Sequence, residues 1–261
     1  MDAQFSAVVL AGERPGGSDF ARQLGLAASV LVDVAGKSAL QRVLDALDSS
    51  ASVNGGLLCG PEESVFRKTP EIQEILIASS FEWMPPATGP SASALAGVEQ
   101  LNHFPVLLTA GDHALLTPAL IDQFCAGASE LGVDIALGLV PYEVVRAAFP
   151  ESKRTVLKFR DGHYCGSNLF AIMNSRGKAG PAFWTKLESD RKKPWRMVRH
   201  AGVGLLVQYL LGRLTLDKAL DTLSRAMGCS IGYALLDNPR AAVDVDSAAD
   251  RDLAVKILQS G

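Results

Sequence analysis

The sequence predicts an α/β fold with a mainly parallel sheet. Short apolar runs alternate with amphipathic helical patterns along most of the chain. Two runs, 105–109 and 134–140, are almost continuously apolar, as strands buried on both faces are. Asp161-Gly162 stands between two extended stretches and signals a hairpin, so an antiparallel pair joins the parallel core.

The first strand ends at Leu10-Ala11-Gly12 and breaks into a loop holding Glu13, Arg14, Gly16 and Gly17. Residues 31–34 read as a short extended piece. Ser38 with Gln41 has capping-box spacing for a helix whose apolar stripe is Leu40, Val43, Leu44 and Leu47. A second strand over 56–59 stops at Gly60-Pro61. Thr69-Pro70 reads as the cap of a helix, 81–84 as extended, and the loop 85–90 as the approach to a helix opening at Ser91. The strand 105–109 runs into Ala110-Gly111-Asp112-His113, and Thr117-Pro118 caps a helix carrying Leu120, Ile121 and Phe124 inward. After the strand 134–140, Pro141 begins a helix ending before Pro150, and 155–160 pairs with 164–173 across the Asp161-Gly162 turn.

From 178 to 228 the pattern turns helical and partly basic. The stretch TKLESDRKKPWRMVRH is rich in Lys and Arg, and an apolar GVGLLVQYLL follows it. This predicts a helical basic insertion within one domain spanning 1–261. A last strand over 229–236, an extended 242–246 and a closing helix started by Ser247 and Asp250 complete the chain.

Composition narrows the function classes. With 261 residues, 48% of them apolar, one large core is possible. A net charge of −3 gives no global basic field, which argues against a nucleic-acid partner. The four cysteines are far apart and show no metal-ligand spacing, so they read as reduced. No signal peptide or membrane-length apolar run is evident, which predicts a cytoplasmic protein.

The chemistry is expected at the carboxyl ends of the strands, where open parallel sheets bind ligands. Glycines in the loop after the first strand let backbone N–H groups converge on a phosphate, and Arg14 adds a planar charged fork. The loop matches neither G-x-G-x-x-G nor a P-loop, and an ordinary strand exit with flexible glycines is the competing reading. Asp112, directly after a buried strand and Gly111, is placed as a ligand of a hard divalent cation, which Asp244 and Asp246 could approach. Read alone, it is equally a turn-capping aspartate.

Several stretches together resemble the nucleotidyltransferases related to molybdenum-cofactor nucleotidyltransferases and to sugar-phosphate and methylerythritol-phosphate cytidylyltransferases. LAGERPGG is similar to their LAAG-x-G-x-R loop, VAGKSALQRVLDAL to G-K-P-L-L-x-R-V-L, and TGPSAS to G-P-x-x-S. LLTAGDHALLTPALI, GSNLFAI and DVDSAADRDL resemble the later elements, in the same order. The resemblance implies a three-layer α/β/α sandwich of the nucleotide-diphospho-sugar transferase type, GT-A-like and Rossmann-like in outline. It implies an NTP substrate, CTP or GTP, with Mg²⁺, and a phosphorylated acceptor that is either small or lipid-linked.

Carried over residue by residue, Leu10, Ala11, Gly12, Gly89, Pro90 and Ser93 would hold base and ribose. Glu13, Arg14, Gly16, Gly17 and Gly111 would complete the nucleotide site, with Arg14 on the triphosphate. Asp112 would hold Mg²⁺ with Asp244 or Asp246, Arg14 and Asp112 being the catalytic pair. Asn168 would face the acceptor. Separately, the basic character of the insertion suggests that Arg196 and Arg199 also face an anionic acceptor, and 186–200 is either a peripheral membrane contact or a solvated helix face. His113 is expected to orient Asp112 or to pack. The family's lysine position holds Ser29, preceded by Ala28, so a phosphate-facing cation is missing unless Arg22 or the insertion supplies one. That departure keeps open a catalytically silent nucleotide-binding paralogue with a regulatory or scaffold role. A GT-A-type glycosyltransferase is a further alternative.

Overall fold

The computed structural model describes residues 4–13, 17–189 and 203–260. Its centre is an eight-stranded mixed sheet. In chain order the strands are β1 (Phe5–Leu10), β4 (Val53–Cys59), β5 (Phe81–Met84), β6 (Val106–Ala110), β7 (Ile135–Pro141), β8 (Leu157–Phe159), β9 (Gly162–Ile172) and β10 (Ile231–Leu235), while β2 (Asp33–Val34) and β3 (Lys37–Ser38) form a separate small hairpin. Across the sheet the order is β10-β7-β9-β6-β1-β4-β5, with β8 paired to β9. Every neighbour on this path is parallel except β9, which runs antiparallel to β6, β7 and β8.

Strand periodicity builds the three layers. Phe5, Ala7 and Val9 of β1 and Leu107 of β6 face one core, with Leu40, Leu44 and Leu47 of α2 (Ala39–Asp48) and Leu120, Ile121 and Phe124 of α6 (Pro118–Glu130). Val8, Val106 and Leu108 face the other, with Ala94 and Val98 of α5 (Pro90–Leu101). Because β1 and β6 are buried on both sides, neither face can be polar, which is why both runs lack alternation in the sequence. Helices therefore flank the sheet on both faces.

Several expected details change. Val53 to Gly55 extend the second strand, and Leu31 lies in a short 3₁₀ turn rather than in the extended piece. The approach to β2 also holds a five-residue helix, α1 (Asp19–Gln23), capped by Ser18, which no apolar periodicity announced. Thr117 and Ser38 cap their helices as expected. Thr69 does not cap: its hydroxyl donates to the Val65 carbonyl at 2.7 Å, since the short helix α3 (Glu63–Phe66) ends within reach. Residues 243–246 are irregular and not a strand.

The later helices are α7 (Tyr142–Ala148), α8 (Ala179–Ser189), α9 (Val203–Leu210), α10 (Leu216–Met227) and α11 (Ala248–Ser260), following α4 (Pro70–Ile77). Among the described residues, no helix is long and apolar enough to cross a membrane.

A third core fixes the end of the chain. Val243, Val245, Ala254 and Ile257 pack with Val32, Val34, Ala114 and Leu115. This lays the carboxyl-terminal segment beside the loop that follows β6.

The tightest constraint on the sheet is the contact of β1 with β4. A Cβ on Gly56 would lie 1.9 Å from the carbonyl oxygen of Ala7, so only glycine permits the spacing. Gly56→Ala should cost roughly 3 kcal/mol, by forcing two backbones apart in a packed sheet. Chemical denaturation measures it, with Gly204→Ala, whose Cβ would meet nothing within 4 Å, as the neutral control. Equal stability of the two variants would refute the account.

Candidate active site

The sheet dictates where a ligand goes. The chain leaves β1, builds β4 and β5 on one side, and returns to build β6 on the other, so a crevice opens at the carboxyl ends of β1 and β6. The Gly111 N–H donates to the Leu10 carbonyl at 2.8 Å, and the Ala11 N–H to the Cys59 carbonyl at 2.8 Å. These bonds splay the loops after β1, β4 and β6 around one opening. Gly60, at φ +99°, keeps the floor thin, since a Cβ there would lie 2.7 Å from the Gly12 nitrogen.

On the β4 and β5 side, Gly89 caps α5 and Pro90 opens it. The Ser93 hydroxyl accepts from the Ala87 N–H at 2.9 Å, folding the 85–90 loop back. A Cβ on Gly12 would lie 3.3 Å from that of Pro86, so the two loops meet. Leu10, Ala11, Gly12, Gly89, Pro90 and Ser93 thus share one end of the sheet. Arg14 and Gly16 lie outside the described residues, and Gly17 is exposed at φ +76°.

Glu13 is the unexpected member. Its carboxylate accepts from the Ser29 N–H, so a carboxylate stands at the position where the family lysine was sought. Arg22, one proposed replacement, pairs with Asp19 on the surface.

Asp112 carries an anomaly. Its Oδ1 is buried without a hydrogen-bond partner among the described residues. Burial, then repulsion from Asp246 and Asp244, push its carboxyl from the ordinary 3.8 up to about 7. The backbone makes this geometry rigid, for the Asp112 carbonyl accepts from the N–H groups of Ala114 at 2.9 Å and Val245 at 3.1 Å. The second bond sets Asp244 and Asp246 on either side of buried Val245, close enough to repel Asp112.

Yet among the described residues no three carboxylate, histidine or cysteine side chains converge into a metal cage. Asp244 is already engaged: its Oδ1 accepts from Arg154 at 2.6 Å and its Oδ2 from the Asn168 amide at 3.2 Å. Asn168 reaches it from a left-handed backbone, φ +53°, within the stretch 167–169 of β9 that bulges against Gly138 of β7. These groups line a cavity of about 410 Å³ that also includes Lys153, Gly166, Asp246 and Asp250.

His113 does not orient Asp112. It is fully buried, its two ring nitrogens lack hydrogen-bond partners among the described residues, and burial lowers it to about 4. It is a neutral packing group. Arg196 and Arg199, and all of 186–200 beyond Ser189, lie outside the described residues. Sequence reading missed Arg154, whose Lys-Arg pair in a polar loop has no periodicity to flag it.

Comparisons with known proteins bear on the family and the fold. The family model "MobA-like NTP transferase domain" matches residues 7–162. A hypothetical transferase from Thermus thermophilus superposes with a TM-score of 0.78 at 25% identity, over 95% of this chain and 99% of that one. A CMP:2-keto-3-deoxy-manno-octonic acid synthetase complexed with CTP superposes at 0.60 and 12% identity, over 99% and 100%. Molybdopterin-guanine dinucleotide biosynthesis protein A from Archaeoglobus fulgidus does so at 0.55 and 14%, over 98% and 100%. No curated protein matches the sequence. At these low identities the last two likenesses establish the nucleotide-diphospho-sugar transferase fold alone.

The Asp112 environment makes a testable statement about pH. Its folded-state value lies above the ordinary one, so its contribution to stability is fully present below about pH 4 and is lost as pH rises to about 7. His113 has the opposite sign: its folded-state value is lowered to about 4, so stability is lost as pH falls below 6.5. In thermal unfolding with EDTA, Asp112→Asn should therefore stabilise the protein by about 1–3 kcal/mol at pH 8, where the unpartnered charge is fully formed. The gain should vanish near pH 4. A gain independent of pH would show that the carboxylate is not strained by its surroundings.

Proposed function

The chain belongs to the family of MobA-like NTP transferase domains and is a nucleotidyltransferase; from that premise we propose that it transfers a nucleoside monophosphate from CTP or GTP to a phosphorylated acceptor, with Mg²⁺ and release of pyrophosphate. The observation that carries the divalent-ion part is the partnerless Asp112 Oδ1 at the mouth of the crevice. An orphaned, repelled carboxylate oxygen is a group prepared for a cation. Mg²⁺ is held by one or two carboxylates together with substrate phosphates, so the lack of a closed protein cage among the described residues suits it. Asp112 with Asp244 or Asp246 would hold the ion, which would neutralise charge on the triphosphate.

In this reading Leu10, Ala11, Gly12, Gly89, Pro90 and Ser93 bind base and ribose, and Gly111, Gly16, Gly17 and Arg14 carry phosphate oxygens. An oxygen of the acceptor phosphate attacks the α-phosphorus, a new phosphoanhydride bond forms, and the α–β bond breaks with its electron pair leaving on pyrophosphate. The acceptor is largely dianionic at pH 7, so no side chain need remove a proton, and the protein's contribution is positioning and charge stabilisation. That suits a crevice whose one histidine is sealed and neutral. The cavity beside Asn168, with Lys153 at its edge, is the proposed acceptor side. Arg196 and Arg199 are proposed acceptor contacts on the sequence alone.

Screening the four NTPs with and without Mg²⁺ tests the reading. The correct NTP at a hundred times its Kd should stabilise the fold by roughly 2.7 kcal/mol only when the ion is present. Asp112→Asn should remove that dependence. Pyrophosphate release with candidate phosphate esters should follow; nucleotide binding without any release would replace the enzyme by a nucleotide-binding paralogue.

Glu13 supplies a separate expectation. Its carboxylate lies in the loop assigned to the triphosphate, so Glu13→Gln should tighten NTP binding by up to about tenfold, the order of one charged contact. Weaker binding of the variant, measured by calorimetry, would give Glu13 a supporting role instead.

A further inference from the structure

Arg154 is the most constrained cation near the crevice among the described residues. Its side chain is 9% exposed, and all its hydrogen-bonding edges point at partners within the protein. Nη1 donates to Asp244 Oδ1 at 2.6 Å, Nη2 to Asp250 Oδ1, and Nε to the Ser152 hydroxyl at 2.8 Å. Asp250 is held from its other side by the Ser247 hydroxyl at 2.6 Å, so that arm is built into the start of α11. The Asp244 arm differs, because Asp244, which shares the cavity with Asp250, also adjoins and repels Asp112. Arg154 is thus anchored by one aspartate that belongs to the scaffold and reaches across to one that belongs to the site.

We propose that Arg154 is the built-in counter-ion of Asp244, and that a divalent cation entering at Asp112 takes Asp244 Oδ1 from it by exchange. The inference rests on the reading of Asp112 and Asp244 as cation ligands. Two observations support exchange over simple neutralisation. Asp112 Oδ1 has no partner among the described residues whereas Asp244 Oδ1 is held by the Arg154 guanidinium, so a cation drawn to both carboxylates would compete with that guanidinium. The other Asp244 oxygen is held by Asn168, which keeps the carboxylate in place while its partner changes. Nη1, released while Nη2 and Nε stay anchored, then faces a cavity that already holds Lys153, where it can meet an anionic phosphate ester. The cation missing at Ser29 is thereby provided from the far side of the crevice, and only once metal is bound. Arg154 is a positioning residue in this account.

The test uses Mn²⁺ alone as the probe, with free Mn²⁺ read by electron paramagnetic resonance and no nucleotide present. Arg154→Gln should tighten Mn²⁺ binding by about tenfold or more, since the ion no longer competes for Asp244. Asp244→Asn should weaken it, and adding Arg154→Gln to that variant should change little, because the competition has lost its object. Arg154→Lys, which keeps the charge but cannot span both carboxylates, should fall between wild type and Arg154→Gln, and it answers the question if the glutamine variant fails to fold. Equal tightening with and without Asp244 would show that Arg154 acts only through its field, and would overturn the exchange. Weakening by Asp244→Asn with no effect of either Arg154 variant would overturn it too, while leaving the metal reading intact. Indifference of Mn²⁺ binding to both Asp112→Asn and Asp244→Asn would remove the metal reading itself, and the exchange with it.

Discussion

Everything in this molecule follows from β1 being buried on both faces and paired on both edges. A strand so placed can present only its end to solvent. Because β4 and β6 run parallel to it, their loops emerge at that same end, and the backbone bonds from Gly111 to Leu10 and from Ala11 to Cys59 hold them apart at fixed spacing. The polar residues of three loops are thereby brought together by a strand that contains almost no polar residue. Gly56 and Gly60 are the steric terms of this arrangement, since each stands where a neighbouring backbone leaves no room for a Cβ.

The second constraint joins sequence positions 112 and 245. The carbonyl of Asp112 accepts the N–H of Val245, and Val243 and Val245 are sealed in the third core with the β2–β3 hairpin. Burying such side chains contributes about 1.5–3 kcal/mol each, which offsets the work of holding carboxylates together. That work is visible in the carboxyl of Asp112, pushed up to about 7. Apolar packing here maintains an electrostatic arrangement that the charges alone would disperse.

What could be read in the sequence was what has a period or a punctuation mark. The strands, the caps at Ser38 and Thr117, the Asp161-Gly162 turn and the strand-end position of Asp112 all had such marks, and the order of the motifs pointed to the family. The left-handed backbone of Asn168 had none, because the bulge it sits in is a mismatch of β9 against β7 that only the pairing of the two strands reveals. Thr69 looked like a cap and is not one, since hydroxyls choose the nearest acceptor and a preceding helix supplied it. Arg154 was invisible for a similar reason: its partners are about 90 residues further along, and no local pattern encodes a contact that tertiary folding creates.

The charge at the crevice ties these points together. Asp112, Asp244, Asp246, Asp250 and Glu13 gather at one end of the sheet, and Arg154 with Lys153 stands against them. A triphosphate brought to such a place meets repulsion before attraction. The Glu13 carboxylate, bonded to the Ser29 backbone at the position where the resemblance places a lysine, adds negative charge there. A nucleotide bound as proposed would need cations to offset these carboxylates, so the Ser29 position and the unpartnered oxygen of Asp112 bear on one property. Under the proposed function, the described residues put the Glu13 carboxylate on the nucleotide side and the committed guanidinium of Arg154 on the acceptor side. A divalent ion, as proposed, would offset the first and, by competing for Asp244, would free the second.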